Sequence, residues 1–128
     1  MPRIITESFG SGNTDWLGSA HGINGARTEM LDVSEFTKAT HYPDGYIPSG
    51  TAVGKVGGKL VPYAVAEATT TGAGVLAGHV LFDQKVVGAE DFAVPLLDHG
   101  RVKASKVPGT FTAPVAAVKA ANTTIVYI

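Results

Sequence analysis

The sequence predicts a mostly β fold with one short helix, preceded by an extended N-terminal arm. Short runs rich in Val, Ile, Leu and Thr recur from Thr28 onward, each closed by Gly, Pro, Asp or Asn, as strands and their turns are. Two of these runs are joined by Gly57-Gly58, a pair suited to a two-residue hairpin loop. Ahead of them, glycines at 10, 12, 18, 22 and 25 interrupt any helical or strand period. The chain therefore divides into a Gly-rich arm, residues 1–28, and a β-rich domain, residues 29–128.

The arm's apolar residues, Ile4, Ile5, Phe9, Trp16, Leu17 and Ile23, are too sparse for a helix face, and either they bind a partner or they lie along the domain. Met30, Leu31 and Val33 open the first strand. His41 to Gly50 is a corner: Asp44-Gly45 is a turn dipeptide, Pro43 and Pro48 fix φ, and Tyr42, Tyr46 and Ile47 offer anchors. Thr51 to Val56 and Lys59 to Ala66 form the hairpin. Further strands are expected at Gly74 to Phe82, Lys85 to Val87, Ala93 to Leu97, Arg101 to Ser105 and Thr124 to Ile128, with turns at Asp83-Gln84 and Asp98-His99-Gly100. The helix is expected over Pro114 to Ala121, where Thr112 caps, Pro114 begins the first turn and alanines follow.

At 128 residues without cysteine, one core can form unaided by disulfides. The charged share is 16% and the net charge −1, with ten Lys and Arg scattered among eleven Asp and Glu. No basic stripe for nucleic acid results. A surface so poor in charge is consistent with a protein that hides part of itself in a partner or oligomer. No run approaches the roughly eighteen apolar residues of a membrane span, and the N-terminus lacks a signal peptide's apolar stretch, so synthesis in a cytoplasm is expected.

Motifs that would carry chemistry fail on their own requirements. The Gly50 to Leu60 stretch resembles a phosphate loop but lacks its four-residue gap and the Ser or Thr after Lys. His21, His41, His79 and His99 never fall at metal-ligand spacings. Asp15, Ser19 and His21 lie close in sequence, yet a Gly-rich arm is a poor frame for a catalytic triad. Glu90 and Asp91, being adjacent, point to opposite faces of a strand or are solvated in a loop. Asn122-Thr123-Thr124 matches a glycosylation sequon by chance. The sequence thus predicts no enzyme, no cofactor and no metal, and Trp16 reads as an interface anchor or as intramolecular packing in preference to a sugar-stacking platform.

Met30-Leu31-Asp32-Val33, the corner ending in Ile47-Pro48-Ser49-Gly50, Lys59-Leu60-Val61-Pro62-Tyr63, Ala73 to Gly78 and Gly100-Arg101-Val102 follow one another in an order that resembles the tailed-bacteriophage head decoration proteins of the phage lambda type. The resemblance covers Leu31 to the C-terminus. It implies a compact, β-tulip-like domain that trimerises on the outer surface of the virion. It also implies a structural role: cementing the expanded capsid against internal DNA pressure, with the major capsid protein and other copies of itself as partners. Neither nucleic acid nor membrane is a partner in this reading. The N-terminal arm would become ordered on the shell, adding a strand to it, with the six arm residues as contacts. The alternative is a virion-surface module that binds carbohydrate or the host surface.

Overall fold

The computed structural model describes residues 15–18, 27–64, 72–88, 90–109, 111–114, 119 and 122–128. Among them the protein is mostly β with a single short helix. Five strands, β1 (Arg27–Leu31), β3 (Ala52–Val56), β4 (Lys59–Pro62), β5 (Leu76–Val80) and β7 (Phe92–Leu97), close into a barrel in the order β1-β4-β3-β5-β7. Two small sheets accompany it. β2 (Tyr46–Ile47) pairs with β6 (Gln84–Lys85), and β8 (His99–Val102) runs parallel to β9 (Thr124–Tyr127).

Local chemistry explains the joints. Gly57 and Gly58 turn β3 into β4 with φ of +60° and +83°, the paired positive values of a hairpin turn whose twist matches its strands. β1 is held by five antiparallel pairs with β7, from Arg27↔Leu96 to Leu31↔Phe92. Its other edge meets β4 in parallel at Leu31↔Leu60, and the Asp32 N–H donating to the Leu60 carbonyl at 2.9 Å extends that thin seam. Asp32 then caps a 3₁₀ turn, Val33–Glu35, by accepting from the Ser34 N–H, and this leads into α1 (Lys38–His41).

Two apolar clusters fill the interior. The first joins Leu31, Val33, Phe36, Ile47, Val53, Leu60, Ala77, Val80, Val94 and Leu96 inside the barrel. The second sits between the barrel and the β8–β9 sheet and contains Trp16, Leu81, Leu97, Val102 and Val107. β5 is buried over its whole length and serves both, which is why its sequence, Leu-Ala-Gly-His-Val, does not alternate with polar residues.

The structure corrects several expectations. β1 begins at Arg27, one residue before the expected start at Thr28, and Arg27 pairs with Asp98 at 3.0 Å. Val33 leaves the strand for the 3₁₀ turn, because Asp32 caps there. Gln84 is in β6, not a turn, since Tyr46-Ile47 supplies a strand opposite Gln84-Lys85. Asp98 alone separates β7 from β8, and Ala104–Lys106 forms a second 3₁₀ turn where strand was expected. Most of the helix expected over Pro114 to Ala121 lies outside the described residues; the helix described is α1, ahead of the Tyr/Pro corner.

Candidate functional site

The expected arm contacts separate into two groups. Ile4, Ile5, Phe9 and Ile23 lie outside the described residues, as do Ser19 and His21. Trp16 and Leu17 are part of the folded domain. Leu17 forms a bridge with Val102, the Gly18 N–H donates to the Arg101 carbonyl at 2.8 Å, and the Lys103 N–H donates to the Trp16 carbonyl at 2.6 Å. Residues 15–18 thus occupy one edge of β8, with β9 on the other.

Trp16 is 1% exposed, so its ring packs inside the folded domain, one of the two readings the sequence allows. Its indole N–H donates to Ser49 Oγ at 2.9 Å, and the Ser49 hydroxyl donates in turn to the Leu81 carbonyl at 2.7 Å. The Ser49 N–H donates to the Asp83 carboxylate at 2.7 Å. Ser49 is itself buried, so these bonds meet the requirement that a polar group removed from water be paired. Gly50 follows with φ of +93°, and a Cβ placed there would lie 2.6 Å from the indole ring. Glycine is needed for the dihedral and for the ring's close approach.

Behind the indole lies His79, fully buried on β5. Its ring stacks on Trp16 with centroids 5.7 Å apart and meets Phe111 and Tyr127 edge-on at 5.4 and 5.9 Å. Nδ1 is 2.9 Å from the Gly50 carbonyl and Nε2 is 2.8 Å from the Tyr127 hydroxyl. A carbonyl only accepts, so Nδ1 carries the proton of the neutral ring, and Nε2 accepts from the tyrosine. Burial lowers the His79 pKa to about 4, the bond to Gly50 opposing that shift, and burial raises the Tyr127 pKa. Both groups are neutral at physiological pH. The arrangement ties four segments together: residues 15–18, the corner at Ser49-Gly50, β5 and β9.

Such a junction is built to hold surfaces in fixed relation. The surfaces it carries include exposed apolar groups, Val126 at 55% and Ile128 at 58% accessible, on β9 and just beyond it. Elsewhere on the barrel, Lys59 binds Asp91 at 2.6 Å, and Asp91 also accepts from the Val33 N–H. The Lys59–Asp91 hydrogen bond is the main reason the Lys59 pKa is raised and the Asp91 pKa lowered. Lys55 pairs with Glu29 at 3.0 Å. Both lysines of the phosphate-loop look-alike are thus engaged with carboxylates.

Sequence reasoning missed Ser49 and His79 as partners of Trp16, and Phe111 and Tyr127 as partners of His79. One signal was present: a histidine inside the otherwise apolar Gly74 to Phe82 run is a polar group that needs buried partners. No protein family, curated protein or solved structure matches the chain.

Proposed function

We propose that this is a capsid decoration protein of a tailed bacteriophage, a structural cement that binds the expanded head as a trimer and bridges neighbouring shell subunits. The role is mechanical and needs no catalysis. The reading rests on the resemblance carried by residues 30–33, 42–50, 59–63, 73–78 and 100–102. The observation that best supports it is the pinned corner. Ser49-Gly50 is held by Trp16, His79, Leu81 and Asp83, so the resemblance-bearing segment is a rigid strut. Rigidity matters for cement, because three modest contacts on one stiff body can raise avidity by roughly 10² to 10⁴ over one contact.

In this reading the shell contact made by the arm comes from the residues preceding Asp15, among them Ile4, Ile5 and Phe9, while Trp16 and Leu17 anchor them to the domain. The test is co-sedimentation of the purified protein with expanded, undecorated heads of its own phage. Saturable binding at a fixed ratio to shell subunits is expected; protein that stays wholly in the supernatant contradicts the proposal.

A further inference from the structure

The outer face of the β8–β9 sheet is basic and apolar. Arg101 stands opposite Val126 in the parallel register, and Ile128 follows at the strand's end, its side chain near Gly18 and the Arg101 stem. Burial alternates along both strands, so Arg101 and Lys103 of one and Val126 and Ile128 of the other share the exposed side. Neither Arg101 nor Lys103 has a carboxylate partner among the described residues. An arginine set among exposed aliphatic groups is the composition of an interface centre, where a planar, weakly hydrated cation sheds water readily.

A second surface has the opposite character. Where the 3₁₀ turn and α1 lie beside the β3–β4 hairpin, an open cleft is lined by Asp32, Glu35, His41, Val56, Val61 and Pro62. Glu35 is exposed and has no cationic partner among the described residues. Val56 is 37% exposed, and Lys59, which pairs with Asp91, also feels the charge of Asp32, so Glu35 is the carboxylate of this cleft with no cation against it among the described residues. The cleft therefore offers carboxylates and aliphatic walls together. It borders the first apolar cluster, whereas the Arg101 face covers the second.

We propose that these two faces bind each other between copies of the chain: Arg101, with Val126 and Ile128, of one copy enters the acidic cleft at Asp32 and Glu35 of the next. The charges are complementary, and each face brings apolar groups that would otherwise stay in water. Because the two faces are different patches of one protomer, the contact is head-to-tail, and it closes into a ring when each step turns by the right angle. That the ring holds three copies rests on the decoration reading; the pairing of the faces does not.

A charge swap measured by sedimentation equilibrium of the full chain tests the pairing. Wild type is expected to associate into a closed species of three protomers, more weakly as salt rises. Arg101→Glu and Glu35→Lys are each expected to weaken association at least about tenfold, and the double variant to regain most of it. Both positions are exposed, and far-UV circular dichroism verifies that each variant keeps its fold. Three results overturn the pairing: a wild type monomeric at its highest soluble concentration, single variants that associate normally, or a double variant no stronger than the singles. A chain that fails these tests yet decorates heads would leave the decoration reading standing; one that passes while heads stay bare would do the reverse.

Discussion

Trp16, Ser49, Gly50 and His79 form a unit in which each residue satisfies a need created by another. The indole N–H needs an acceptor, and the buried Ser49 hydroxyl is that acceptor while donating onward to Leu81. Removing the hydroxyl by Ser49→Ala leaves the indole N–H unpaired and is expected to cost about 1 to 3 kcal/mol in denaturant unfolding. Trp16→Ala empties the centre of the second cluster and should cost about 3 to 5 kcal/mol by the same measurement. Gly50→Ala combines a left-handed dihedral with a contact inside the indole's van der Waals radius, so a loss of at least about 2 kcal/mol is expected. Trp16 emission in the free protein should be that of a dry indole, and a spectrum typical of water-exposed tryptophan would contradict the junction.

His79 makes this unit sensitive to acid. The unfolded ring takes up a proton near its ordinary 6.5, whereas the folded ring stays neutral until about 4. The unfolded state therefore binds more protons between these values, and stability rises with pH across that window. His79's contribution is fully present above about 6.5, declines as pH falls and is lost below about 4, a change of about 3 kcal/mol. Imidazole ¹⁵N shifts followed from pH 7 to 4 provide the test. They should report the neutral form protonated at Nδ1 throughout most of the range; an ordinary titration midpoint near 6.5 would show that the ring is not sequestered.

At the scale of elements, the hairpin and most strand centres were legible in the sequence because they depend on neighbours in the chain. Gly57-Gly58 needs only its own dihedrals, and Ala93 to Leu97 or Thr124 to Ile128 need only β-forming residues between breakers. Features set by distant partners were not legible. β6 exists because Gln84 meets Ile47, and α1 follows a 3₁₀ turn capped by Asp32. Trp16 and Leu17 read as arm residues because Gly18 and its neighbours have no period of their own. Val102, Arg101 and Ser49, far along the chain, supply their bonds.

That difference predicts two separable truncations. Deleting residues 1–14 spares Trp16 and β1, so the thermal midpoint should move by only a few degrees, and under the proposed decoration role head binding should fall sharply. Deleting residues 1–28 removes the indole and the first two residues of β1, and should cost about 4 kcal/mol or leave the chain unfolded. If the longer deletion melts like wild type, Trp16 is not a keystone. Normal decoration by the shorter one would place the shell contact elsewhere.

At the scale of the whole molecule, the described residues form a barrel with two apolar clusters, the Ser49-Gly50 corner bonded to both Trp16 and His79, and residues 15–18 bonded along β8. Internal pressure in a filled head pulls shell subunits apart, and a rigid body touching several of them resists only if its own contacts do not yield. In the proposed decoration role the buried Trp16 and His79 junction would supply that stiffness, and binding at several points would let each contact be weak. The measurement that tests the proposed decoration role most directly is imaging of expanded, undecorated phage heads after adding the purified chain. The proposed decoration role predicts three-fold density, one trimer at each occupied symmetry axis, with the N-terminal residues reaching the shell. Bare heads at saturating protein, or isolated single copies at every site, would contradict it.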